Sequence, residues 1–198
     1  MARQSITSYA SMNAWRSIQQ FLPEENRIND HNRPEETWWE WNGGRIHMEI
    51  YPNPSSRVRI MLLHGVGGNG RLLSFAAVPL HRAGYEVISP DLPGYGLSRI
   101  KDRKFTYDHW IRMTVDLMEA ERSRDGRPFV LFGLSAGGAL AYRAAGMQRE
   151  VKGLIATCIL DERNRAVREG LSPHPVMERA GVTQLQFLNG EVSGVRFP

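Results

Sequence analysis

Cysteine is almost absent from the chain: Cys158 is the single one among 198 residues. One thiol excludes an internal disulfide framework and fits a reducing compartment. Its place inside an apolar, strand-like run predicts a buried and inert thiol. Long hydrophobic runs are missing as well. No stretch approaches the roughly 18 apolar residues of a membrane span, and the N-terminus, MARQSITSYASMNAW, lacks the apolar centre of a secretory signal. Together these absences predict a cytoplasmic protein with no membrane span. There is no internal repeat and no low-complexity segment. Charge of one sign is in only mild excess, 25 Lys and Arg against 21 Asp and Glu for a formal +4. That falls short of the dense basic stripe of a nucleic-acid binder, so no nucleic-acid partner is expected.

What is present is ordinary for one globular domain: 41% hydrophobic and 23% charged residues, with enough chain for one sizeable core. Residues 1–36 read as a polar N-terminal extension with a short helix around Ala14–Leu22. Trp38, Trp39 and Trp41 then precede Asn42-Gly43. Asn-Gly between two strand-like runs is a strong hairpin signal, and tryptophans in a strand are expected to pack on the sheet. A third strand, Arg57–Leu63, runs into the glycine-rich His64–Gly70. A helix from about Arg71, with a break at Pro79, leads to a strand at Tyr85–Ser89 and a turn from Asp91 to Ser98. The basic run Arg99, Lys101, Arg103 and Lys104 reads as a solvated loop. Tyr107, Ile111, Val115 and Met118 recur at helical spacing and should face the sheet. A sixth strand is expected at Gly153–Leu160. Strands alternating with helices at this spacing imply an α/β fold: a mostly parallel sheet with helices on both faces.

The centre of this organisation is Phe129–Tyr142, FVLFGLSAGGALAY. An apolar strand stops at Gly133-Leu134-Ser135-Ala136-Gly137, and a helix of small residues follows. G-x-S-x-G between strand and helix is the nucleophile-elbow pattern. A serine at the apex is lifted clear of the sheet, flanking glycines avoid collisions, and the helix turns its positive end toward the hydroxyl. The competing reading is a glycine-rich phosphate cradle. Neither the G-K-[ST] of a P-loop nor a G-x-G-x-x-G is there to support it.

Three motifs in this order resemble the α/β-hydrolase superfamily, in particular its lipase, esterase and serine-aminopeptidase-like branch. They are His64-Gly65-Val66-Gly67-Gly68 after the third strand, Asp91-x-Pro93-Gly94-x-Gly96-x-Ser98 after the fourth, and Gly133-x-Ser135-x-Gly137 after the fifth. The likeness covers about Trp38 to Asp161. It implies a serine hydrolase acting on a small-molecule acyl ester, with Ser135 as nucleophile, the amides of Val66 and Ala136 as oxyanion hole, and no metal or organic cofactor. It implies structural roles for His64 in the loop and Asp91 in the turn. A serine at the apex, where other branches carry aspartate, sets the dehalogenase and epoxide-hydrolase branches aside.

A serine nucleophile also needs a base and an orienting acid, which in this family follow in the order Ser…Asp/Glu…His. Only one histidine follows Ser135, His174, and the acids that follow are Glu150, Asp161, Glu162, Glu169, Glu178 and Glu191. The resemblance points to Asp161, since some members of the superfamily place their acid at the end of the sixth strand. Residues 37–161 would form the core and 162–198 a divergent tail, too short for two further strand–helix units. The last strands of the fold would then be missing and a sheet edge left open to self-association. That gives an alternative expectation: a truncated, catalytically inactive binding or interaction protein of the same fold.

Overall fold

The computed structural model describes residues 8–101 and 106–159. Among the described residues six strands form one sheet: β1 (Glu35–Trp41), β2 (Gly44–Tyr51), β3 (Arg59–Leu63), β4 (Glu86–Pro90), β5 (Phe129–Leu134) and β6 (Val151–Thr157). Their spatial order is β1-β2-β4-β3-β5-β6. Contacts among β4, β3, β5 and β6 are parallel, while β1–β2 and β2–β4 are antiparallel. Four helices accompany them: α1 (Asn13–Gln19), α2 (Ser74–Arg82), α3 (Tyr107–Asp125) and α4 (Ala136–Met147). None of the described helices is long and apolar enough to cross a membrane.

Period-two alternation in the central strands divides the core in two. Met61, Leu63, Ile88, Phe129 and Leu131 face α3 and α4, with Trp110, Leu117, Leu140 and Ala144 packed against them. Ile60, Leu62 and Val87 point the other way, onto Leu73, Ala77 and Val78 of the α2 side. Helices therefore cover both faces, as the strand–helix alternation requires. The expected α3 stripe is there, with Tyr107, Ile111 and Met118 buried and Val115 packed at its margin.

The hairpin turns where Asn-Gly predicts: Asn42 has φ 47° and Gly43 φ 70°, the two left-handed positions of a type I′ turn. Trp41 is buried and donates its indole N–H to Asp116 at 2.7 Å, and Trp39 packs against the same core. Two helix boundaries differ from expectation. Gly70–Leu73 is a separate 3-10 turn, capped by the Asn69 side chain, and Pro79 lies inside α2 without ending it. A proline removes one helical N–H bond, and packing of Ala76, Ala77 and Val78 on the sheet outweighs that loss in this short helix.

Cys158 corrects the expectation of a buried thiol. It is exposed, because β6 ends at Thr157 and the chain turns there through φ 55°. The segment read as polar extension also contributes to the interior: Tyr9 and Trp15 are 3% and 5% exposed. At the opposite end of the parallel strands, buried Arg59 is held by Glu86 and Asp125 and donates to the Glu121 carbonyl at 2.9 Å.

Candidate active site

Strand β5 ends at Leu134, and α4 begins at Ala136, which leaves Ser135 alone at the corner with φ 57° and ψ −121°. A residue with a side chain adopts that conformation only under strain. Its N–H donates to the Thr157 carbonyl at 2.8 Å, and its carbonyl accepts from Gly138 N at 2.8 Å. The corner is thus anchored on both sides, and Ser135 itself is half-buried. The glycines are required by contact. A Cβ on Gly133 would lie 2.1 Å from the Gly137 carbonyl oxygen, and one on Gly137 would lie 2.1 Å from that of Leu63. The hydroxyl of Tyr107 donates to the Ala136 carbonyl at 3.1 Å, which ties the first residue of α4 to α3. As the first helical residue, Ala136 has an amide without an intrahelical acceptor.

The glycine-rich loop after β3 comes up beside this corner. A Cβ built on Gly65 would stand 3.2 Å from Ser135 Cβ and 3.7 Å from its Oγ. The Gly65 carbonyl is held from two directions, by the His64 ring at 2.7 Å and by Gly68 N at 3.1 Å. Because a trans peptide sets C=O and N–H antiparallel, holding that carbonyl also fixes the direction of the Val66 N–H. Among the described residues the Val66 N–H has no backbone acceptor.

His64 itself is 1% exposed, and its two nitrogens are both committed. Nε2 accepts from Leu92 N at 3.0 Å, so Nδ1 carries the proton and donates to Gly65 O. Burial lowers its pKa, against the opposing influence of the Gly65 hydrogen bond and the Asp91 charge. A neutral ring with no free nitrogen cannot take a proton from Ser135. Tyr95 stacks edge-on against His64 and also against Trp110, whose indole donates to the Pro93 carbonyl at 2.9 Å. Among the described residues no histidine hydrogen-bonds Ser135. Asp161 and His174 lie outside the described residues.

Sequence reasoning missed the buried polar network that holds the two loops together. Asp91, fully buried after β4, accepts from Gly70 N at 2.7 Å, Leu97 N at 2.7 Å and the Tyr9 hydroxyl at 2.7 Å, and contacts His47 Nδ1 at 3.1 Å. The expected turn role of Asp91 is there, with a longer reach. His47 Nε2 meets Glu36 at 3.1 Å, and Glu36 also accepts from Arg71 and from the Ser8 and Tyr9 groups that open the N-terminal segment. Arg71 in turn pairs with Glu49 and lies under the rings of Tyr9 and Trp15. Burial alone would lower the His47 pKa, yet hydrogen bonds to Asp91 and Glu36 raise it to about 9. Glu36 moves down to about 2 because the donors around it outweigh its burial, while burial pushes Glu49 up to about 7. The signal that could have found this cluster is the β1–β2 register, which puts Trp38 opposite His47 and Glu36 opposite Glu49 on one face.

Comparison with known proteins agrees with this fold. The family model described as "Alpha/beta hydrolase family" matches residues 60–196. The magnesium-chelatase 30 kDa subunit of Rhodobacter capsulatus is 36% identical over 110 residues, which is 54% of this chain and 34% of that one. The chain therefore spans about a third of the length of this curated relative. Among solved structures, a thioesterase domain from the curacin biosynthetic pathway superposes with TM-score 0.59 at 23% identity, covering 70% of this chain and 50% of that one. An N-acyl homoserine lactonase gives 0.58 at 23% over 75% and 53%. The monoglyceride lipase of Saccharomyces cerevisiae gives 0.56 at 21% over 74% and 52%. With the family match covering more than half of its length, the chain belongs to the α/β-hydrolase family.

Proposed function

We propose that the protein is a serine hydrolase acting on carboxylic esters. The observation that carries this reading is the strained backbone of Ser135 at the β5–α4 corner, with Gly65 of the glycine-rich loop against it. Strain kept at a half-buried serine between strand and helix is a device for presenting a nucleophile. In this mechanism Ser135 Oγ attacks the acyl carbonyl carbon and its proton passes to His174, oriented by Asp161. The N–H groups of Val66 and Ala136 hold the oxyanion of the tetrahedral intermediate. Collapse expels the alcohol, which takes the proton from His174. Water, deprotonated by the same histidine, then releases the acid from Ser135. The thioesterase, lactonase and lipase likenesses support acyl transfer to water as the reaction class; ester rather than thioester is the choice made from the sequence resemblance. The proposal includes a cytoplasmic placement, for which the single cysteine is the support.

A second reading rests on the likeness to a chain named as a magnesium-chelatase subunit. On that reading the fold serves as a non-catalytic binding or interaction protein. Strand β6, last in the sheet among the described residues and with Leu154 and Ile155 38% and 45% exposed, is the surface for association, including self-association.

A fluorophosphonate probe separates the two. Labelling of the folded protein that disappears in Ser135→Ala shows an activated nucleophile, and loss in His174→Ala then identifies its base. A folded protein that takes no label refutes the enzyme reading.

A further inference from the structure

The basic run beyond the turn after β4 plays no part in that chemistry, yet its first members are organised. Arg99 and Arg45 form an antiparallel bridge, with N–H···O distances of 2.6 and 2.8 Å in the two directions. Residues directly opposite in such a bridge project to the same side, where like charges repel. Lys101 follows two residues after Arg99. Its Nζ lies 3.7 Å from the position that a Cβ on Gly43 would take, so its ammonium lies over the hairpin tip. These three side chains, with Glu40, Gly43, Gly44 and Ile100, line a shallow cleft of about 560 Å³ that is largely open to solvent.

The cleft is short of negative charge. Among the described residues three cations meet one carboxylate there. Among the described residues none of the three cations forms an ion pair, and Glu40, although opposite Arg45 in the β1–β2 register, is not within pairing distance of it. The arginine heads are held in place by other means. Arg45 lies 4.8 Å above the Trp38 ring, and Arg99 donates to the Ser98 and Gly96 carbonyls at 2.9 and 3.2 Å. Two placed guanidinium groups and a movable ammonium suit an oxygen-rich dianion better than a single carboxylate, because the planar forks bind phosphate oxygens in pairs.

We propose that this cleft is a binding site for the phosphate or diphosphate group of a small molecule, with Arg45 and Arg99 as the paired donors and Lys101 closing over the anion. The proposal is independent of hydrolysis. It does not require Ser135 to be reactive.

Inorganic pyrophosphate is the probe, titrated calorimetrically into the full chain at low salt. The expected result is saturable one-site binding that weakens roughly tenfold in Arg45→Gln, in Arg99→Gln and in Lys101→Gln, the loss of one charged hydrogen bond each. Arg99→Lys should recover part of the loss, and Lys152→Gln, a cation on β6, should change nothing. Acetate should bind far more weakly than pyrophosphate. Circular dichroism shows that each variant is folded; these exposed side chains are not part of the core. Absence of binding to the wild type overturns the proposal. So does equal weakening by Lys152→Gln, which would reduce the effect to overall charge, or equal affinity for acetate.

Discussion

If the Ser135 backbone is strained, removing its side chain entirely should stabilise the protein, and removing only its hydroxyl should not. Ser135→Ala keeps a Cβ at φ 57° and ψ −121°, so the strain stays. Ser135→Gly releases it. A non-glycine residue in such a region costs about 1–3 kcal/mol, while glycine adds roughly 0.4–1 kcal/mol of unfolded-state entropy. The balance favours Ser135→Gly over Ser135→Ala by about 1 kcal/mol. At an ordinary position the order is reversed, with glycine the less stable by roughly 0.5–1 kcal/mol. The sign of the difference is therefore diagnostic. Urea denaturation of the two variants measures it, and for a chain of this size about 1 kcal/mol corresponds to roughly 2–4 °C in Tm. Both variants lack the hydroxyl and should resist the fluorophosphonate alike. If Ser135→Gly is no more stable than Ser135→Ala, the corner is relaxed, and the argument from stored strain to a presented nucleophile fails.

Gly137→Ala puts a methyl 2.1 Å from a carbonyl oxygen of β3. It should lower stability by about 3 kcal/mol or more, so a urea midpoint close to wild type would contradict the packing of α4 on β3. The His47 cluster sets a pH window. A histidine raised to about 9 from an ordinary 6.5 contributes stability that is full below pH 6.5 and lost as pH rises through 9. Glu36, lowered to about 2 from 4.5, contributes stability present above pH 4.5 and lost on acidification through 2. The shifts correspond to about 3 kcal/mol shared across the pair. His47→Gln should flatten the alkaline limb of a stability–pH curve, and an unchanged limb would assign it to another group. Cys158, exposed beyond the end of β6, should react with a thiol reagent in the native protein as fast as in urea; strong native-state protection would restore the buried reading.

The elbow, the hairpin and the layered sheet were legible because each is encoded locally. Asn42-Gly43 states its turn in two residues, and Gly133 and Gly137 are needed by atoms within a few residues or one strand away. Alternation in RIMLL assigns Ile60 and Leu62 to one face and Met61 and Leu63 to the other without further information. Cys158 was misjudged because an apolar run reports on a strand's average environment. It does not report on where the strand ends.

The polar network was illegible for a different reason. Charged residues are expected at the surface unless a partner is known, and these partners lie far apart in sequence. Tyr9 finds Asp91 across 82 positions, and Arg71 finds Glu36 across 35. Each pairing exists only because β2 runs between β1 and β4, which brings Glu36, His47 and the turn at Asp91 together. Removing one member would leave the others buried without compensation, which is costly. The apparently dispensable polar residues before β1 therefore belong to the structure that positions the candidate site. Tyr9, together with Glu36 of β1 to which Ser8 and Tyr9 donate, bonds to the same Asp91–His47–Arg71 group that joins the end of the glycine-rich loop at Gly70 to the turn at Leu97. An N-terminal truncation that removed Tyr9 would act on the loop beside Ser135 without touching a catalytic group.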